Sequence, residues 1–155
     1  MAKFLGEYEV AIDAKGRFLL PSGFRKQMAE GDGEGFVVTR GIEQCVCIYP
    51  AAVWNVLFEK VNRLNDFKPN VRMFKRLFLN GATPVEMDTA DRLLVPKQLQ
   101  EYAGIKKDAV ICSQGNKLEL WDKDTYYRYM SDNAGKYSDL SEEVANDFGN
   151  PFENM

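Results

Sequence analysis

The 155-residue chain reads as mainly β with helices packed on the strands, an α+β fold built from two copies of one module. Three observations predict this. Short apolar segments alternate with polar neighbours in the strand period, as at Tyr8, Val10 and Ile12. A proline follows a short strand twice, at Pro21 and Pro96, and each time a helical pattern begins. A shift of 75 residues lays Asp13 on Asp88, Arg17 on Arg92, Leu19 on Leu94 and Pro21 on Pro96. Leu20 then meets Val95 and Phe24 meets Leu99; past a length change, Gly41 falls near Gly115 and Ile48-Tyr49 near Leu120-Trp121.

The elements follow in order. Tyr8 to Ile12 is a strand with one buried face, Lys15-Gly16 a tight turn, and Phe18-Leu19-Leu20 the returning strand. Pro21 suits the first position of a helix, where its missing N–H has no partner to lose; the helix should run to about Ala29. The run from Gly31 to Gly35 is a loop, since its two acids repel phosphate and no P-loop lysine follows. Strands are expected over Phe36–Thr39 and Val46–Tyr49, then a longer helix from Ala51 to about Leu64. Residues 66–70 break the pattern before a helix over Val71–Leu79, because Pro69 disfavours helix just ahead of it. The second copy gives a strand over Thr83–Met87, a turn at Thr89–Asp91 and a strand over Arg92–Val95. A short helix from Pro96 to Gly104, strands at Ala109–Ser113 and Lys117–Trp121, and a helix from Asp124 to about Met130 complete it. The expected division is a first module over 1–64, a connecting segment with a helix over 65–80, a second module over 81–132, and an acidic, flexible tail over 133–155.

An apolar content of 45% supports a packed core, but half-length modules bury little surface each, so a neighbour or an oligomer is expected. Three cysteines without framework spacing argue against a disulfide scaffold and fit a reducing compartment. The N-terminus reaches Glu7 without an apolar signal region, and no apolar run approaches the roughly 18 residues of a membrane span. A soluble, cytoplasmic protein with no membrane partner is the expectation. The net charge of −3, taken alone, opposes nucleic acid. Residues 131–155, however, hold six acids and one base; without them 19 basic and 17 acidic residues remain, a net +2.

The segment Asp13-Ala14-Lys15-Gly16-Arg17-Phe18-Leu19-Leu20-Pro21 concentrates the chemistry. Gly16 supplies the positive φ of a tight hairpin, and Asp13 can brace the turn by bonding backbone two residues on. Lys15 and Arg17 then project from an ordered tip. Arg25 and Lys26 lie close by, and Asp13 is the only acid between residues 10 and 29.

The nine-residue pattern Asp-x-x-Gly-Arg-x-x-x-Pro, present twice at this separation, resembles the paired SpoVT/AbrB-type modules of the MraZ family. Val71-Arg72-Met73-Phe74-Lys75-Arg76-Leu77-Phe78-Leu79 and Gly115-Asn116-Lys117-Leu118-Glu119-Leu120-Trp121-Asp122 add to the resemblance, which covers roughly residues 4–130. It implies a double-split-β-barrel fold, and a homo-oligomeric ring that presents hairpin tips to double-stranded DNA. It also implies repression of the bacterial division and cell-wall gene cluster through direct repeats in its promoter, with a nucleoid-associated location. Carried over by position, Lys15, Arg17 and Arg92 would face DNA, with Arg25 and Lys26 adding charge; lysine and arginine on rigid tips can neutralise phosphates or reach guanine edges. Asp13, Gly16, Pro21, Asp88, Asp91 and Pro96 would shape the turns. The second copy departs from the pattern: Asp91 stands at the glycine position and Ala90 where Lys15 stands. Aspartate tolerates the left-handed backbone, but its charge beside Arg92 would repel a phosphate, so the first copy should dominate DNA affinity.

Simpler readings stand beside these. Lys15 and Arg17 could be only a solvated tip. Lys68, Arg72, Lys75 and Arg76 form one helix stripe that could meet DNA or an acidic partner, or be only a wet face. Cys45 and Cys47 read as buried apolar cysteines, because no histidine exists, Cys112 is a lone third candidate, and structural zinc usually takes four ligands. Trp54, Phe58 and Val61 fit a core or subunit contact, and Tyr126, Tyr127 and Tyr129 fit packing better than base stacking. No catalytic site, metal or cofactor is implied: acid–base work at neutral pH usually recruits histidine, and no nucleophile–base pair is recognisable. The alternative function is an antitoxin-like or scaffold module that binds protein without specific DNA recognition.

Overall fold

The computed structural model describes residues 2–28 and 35–155, and among them eight strands and six helices alternate in a mixed α+β order. The first half supplies β1 (Glu7–Ala11), β2 (Arg17–Leu19), α1 (Ser22–Lys26), β3 (Phe36–Arg40), β4 (Val46–Pro50) and α2 (Ala51–Asn62). After α3 (Pro69–Asn80), the second half repeats the order with β5 (Thr83–Val85), β6 (Arg92–Leu94), α4 (Lys97–Ala103), β7 (Asp108–Gln114), β8 (Lys117–Asp122) and α5 (Lys123–Ala134). The expected glycine-rich loop up to Glu34, and the end of the expected first helix at Ala29, lie outside the described residues. Pro21 and Pro96 sit one residue earlier than expected: each, like Pro50 ahead of α2, is the extended N-cap residue, with ψ between 138° and 144°, and the helix starts on the next residue.

The two halves exchange strands. A six-stranded antiparallel sheet runs β1-β7-β8-β4-β3-β5, so β1 of the first half pairs with β7 of the second, and β5 of the second pairs with β3 of the first. A separate two-stranded ribbon joins β2 to β6, setting Arg17 opposite Leu94 and Leu19 opposite Arg92. This answers the burial problem of a half-length module, since each half leans on the other. Phe18, Leu20 and Phe24 share one cluster with their repeat counterparts Leu93, Val95 and Leu99, all at most 1% exposed. Their removal from water is the main stabilising contribution, about 1.5–3 kcal/mol for each large side chain.

Strand alternation assigns the sheet's two faces. Val46, Ile48, Ile111, Leu118 and Leu120 join the central cluster, while Cys47, Tyr49, Cys112, Glu119 and Trp121 alternate with them on the other face. There Tyr49 meets Trp54 of α2 at 5.6 Å between ring centroids, and Trp54 stacks on Phe78 of α3 at 5.5 Å. Thr39 Oγ1 donates to the Phe78 carbonyl at 2.6 Å, tying β3 to α3.

The chain divides into two compact units, one up to Lys123 and the other from Asp124 to Met155. The second holds most of α5 and the helix α6 (Tyr137–Phe148), which lies within the segment expected as an acidic, flexible tail. Tyr137, Leu140, Val144 and Phe148 recur at helical spacing among the acids, an apolar stripe that the acidic composition conceals.

Candidate nucleic-acid interface

The two turns predicted from sequence are built alike, bond for bond. In the first, Asp13 Oδ1 accepts from the backbone N–H of Lys15 and of Arg17, both at 2.9 Å, and Oδ2 accepts from Arg17 Nε at 3.0 Å. In the second, Asp88 Oδ1 accepts from the N–H of Ala90 and of Arg92 at 2.9 Å, and Oδ2 from Arg92 Nε at 2.9 Å. Backbone bonds close each loop, with the Gly16 N–H donating to the Asp13 carbonyl and the Asp91 N–H to the Asp88 carbonyl, both at 3.0 Å. The aspartate thus satisfies turn donors that a two-residue loop leaves over. Both carboxyls titrate below the usual range, first because the backbone N–H of Arg17 or Arg92 bonds the ionised form.

Gly16 adopts φ +85°, and a Cβ there would stand 2.7 Å from Gln100 Nε2 and 3.0 Å from the Val95 carbonyl oxygen. Asp91 takes the equivalent left-handed conformation at φ +60°, so the turn survives the replacement of glycine. The turns also interlock: the Val95 N–H donates to the Gly16 carbonyl at 2.8 Å, and the Leu20 N–H to the Asp91 carbonyl at 2.9 Å.

The electrostatics differ from expectation at one point. Asp91 faces Arg25, whose Nη1 donates to Asp91 Oδ2 at 2.7 Å while Nε donates to the Leu20 carbonyl at 3.1 Å. The carboxylate expected to spoil Arg92 is therefore paired with a cation of the other half. Arg92 instead reaches Asp13 Oδ2 at 4.0 Å as well as its own Asp88, so both hairpin arginines converge on Asp13. Arg17, Arg25 and Arg92 are held, with side chains 28%, 32% and 36% exposed, whereas Lys15 and Lys26 are exposed. Five cations stand against three carboxylates, each carboxylate engaged by an arginine. The pairing of Arg25 with Asp91 carries no local sequence signal, because 66 residues separate the two.

The α3 stripe is structural at two of its four positions. Lys75 Nζ donates to the carbonyls of Asn62 and Leu64 and pairs with Asp66 at 2.6 Å, neutralising the C-terminal end of α2. Arg72 Nη1 donates to the Asp66 and Phe67 carbonyls. Lys68 and Arg76 are exposed. Among the described residues no helix is long and apolar enough to cross a membrane.

Comparison with known proteins follows the same two halves. The family model described as "MraZ protein, putative antitoxin-like" matches twice, over residues 3–77 and 78–150. A protein of Christiangramia forsetii named "Transcriptional regulator MraZ" is 44% identical over 145 residues, covering 93% of this chain and 94% of the relative. Relatives of the same name from Flavobacterium psychrophilum and Natranaerobius thermophilus are 39% and 37% identical. They cover 93% and 91% of this chain and 92% and 96% of their own lengths.

Proposed function

The chain belongs to the MraZ family, and on that footing we propose that it regulates transcription by gripping double-stranded DNA with the Asp13–Arg17 turn. The family is one of transcriptional regulators, not enzymes. The observation that carries the reading is the β2–β6 ribbon, which holds two identically braced turns and sets Arg17 and Arg92 around one carboxylate. Bracing matters because a cation already fixed in place loses little side-chain entropy on meeting a phosphate. Lys15 and Lys26, exposed beside the held arginines, supply the charge that displaces counterions. The outer guanidinium nitrogens of Arg17 reach phosphate or guanine edges.

One tip with a few cations binds weakly. Several tips on a homo-oligomeric ring, engaging direct repeats in the promoter, raise affinity through effective concentration. The ring represses the division and cell-wall cluster from the nucleoid. The first half dominates because Ala90 offers no charge where Lys15 does. The test is a gel-shift titration of the full chain on promoter DNA bearing the direct repeats and on a scrambled fragment. Stepwise retardation of the repeats alone is expected; equal affinity for both fragments overturns specific regulation.

A second reading has one observation in its favour. Exposed Tyr137, Leu140, Val144 and Phe148 on α6 offer an apolar stripe for a protein partner, in keeping with the antitoxin-like description of the family. DNA that leaves a partner bound through this unit undisturbed would separate the two roles.

A further inference from the structure

The register of the large sheet lines up a row of polar and thiol side chains on the face opposite the central cluster. Thr39 pairs with Cys47, Cys47 with Glu119, and Glu119 with Cys112. Cys45 shares that face two residues before Cys47, at the end of a turn closed by the Gly41 N–H on the Cys45 carbonyl at 2.8 Å. The sulfurs of Cys45 and Cys47 and a carboxylate oxygen of Glu119 all lie within 4.8 Å of one another. Both cysteines are free thiols, 0% and 2% exposed. Glu119 Oε1 is oriented by the Trp121 indole N–H at 3.2 Å and by the Cys112 thiol at 3.9 Å. Lys117 Nζ stands 3.8 Å from Cys47 Sγ.

We propose that Cys45, Cys47 and Glu119 form a binding site for a thiophilic divalent cation of the zinc type. Zinc takes thiolate sulfur at about 2.3 Å and carboxylate oxygen at about 2.0–2.2 Å in a tetrahedron, so its ligand atoms lie roughly 4 Å apart or less. The three donors, within 4.8 Å of one another, stand within about 1 Å of that spacing. Charge also balances. Two thiolates and one carboxylate carry three negative charges, the ion contributes two positive, and Lys117 contributes the last, leaving the cluster around the two buried sulfurs neutral. Each thiol loses its proton to solvent on binding, two per ion. A tetrahedral ion keeps one position for water. The Cys-x-Cys spacing alone is too sparse to announce the site. The third donor lies on β8, and only the pairing of β4 with β8 brings it alongside.

The experiment uses the full, reduced chain with Co²⁺ as spectroscopic probe and Zn²⁺ in competition with a chromophoric chelator. One Co²⁺ per chain with thiolate-to-metal charge-transfer absorption is expected, displaced by Zn²⁺, and Zn²⁺ raises the thermal midpoint. Glu119→Gln should weaken Zn²⁺ binding at least about tenfold, and Cys47→Ser should remove most of the charge-transfer band. Circular dichroism identifies any variant that fails to fold, and Cys47→Val then replaces Cys47→Ser. Absence of the band in the reduced wild-type chain overturns the proposal. So does a folded Cys47 variant, or Glu119→Gln, that keeps wild-type Zn²⁺ affinity.

Discussion

Arg25 in the first half donates to the Asp91 carboxylate in the second at 2.7 Å, and the pair closes the ribbon on the side where glycine is replaced. The acid at the glycine position therefore takes up a cation that DNA would otherwise meet. Asp91→Asn keeps a residue that tolerates φ +60° and releases Arg25. DNA affinity should rise, with the slope of log K against log salt steepening by about one. Because both side chains are about a third exposed or more, stability should fall by no more than about 1 kcal/mol. Anisotropy titrations and thermal melts check both outcomes.

Lys15 has no side-chain partner among the described residues, so its charge is available without structural cost. Lys15→Ala should reduce the salt slope by about one and change stability by less than about 0.5 kcal/mol. Arg17 both braces a turn and offers charge. Arg17→Ala should weaken DNA binding more than Arg92→Ala does; equal losses would contradict the dominance of the first half.

Gly16→Ala tests whether the tip must be rigid. Positive φ and a Cβ 3.0 Å from the Val95 carbonyl oxygen both oppose the change. A loss of about 1–3 kcal/mol is expected, read from denaturant midpoints at constant slope. Asp91→Ala should cost less, since its turn already accommodates a side chain.

Asp13 and Asp88 make the acid limb of stability sensitive to the turns. Their folded-state carboxyls titrate below the unfolded value of about 3.9. The folded state then binds fewer protons than the unfolded state in that range, so their contribution is present above that pH and is lost as pH falls through the lowered values. The Asp13→Asn, Asp88→Asn double variant should show a shallower loss of stability below about pH 4 than the wild-type chain.

Much of this fold is legible in the sequence because its signals are local. The period of Tyr8, Val10 and Ile12, the prolines at 21 and 96, and the Asp13–Arg17 spacing each report on a few neighbouring residues, and the 75-residue shift repeats them. Contacts between distant segments leave no such trace. The exchange of β1 and β5 between halves and the arrival of Glu119 beside Cys47 arise from sheet register, and the pairing of Arg25 with Asp91 from the packing of α1 against the second turn. α6 was concealed for a different reason: its acids outweigh a four-residue apolar stripe in any average over the segment.

The most direct test of the central claim is fluorescence anisotropy of promoter DNA carrying the direct repeats, at two salt concentrations, with the wild-type chain and with Arg17→Ala. Tight, salt-sensitive preference for the repeats over a scrambled fragment, lost in the variant, is the predicted result. Wild-type affinity in a folded Arg17→Ala variant, or no preference in the wild-type chain, would contradict a DNA interface on the first hairpin.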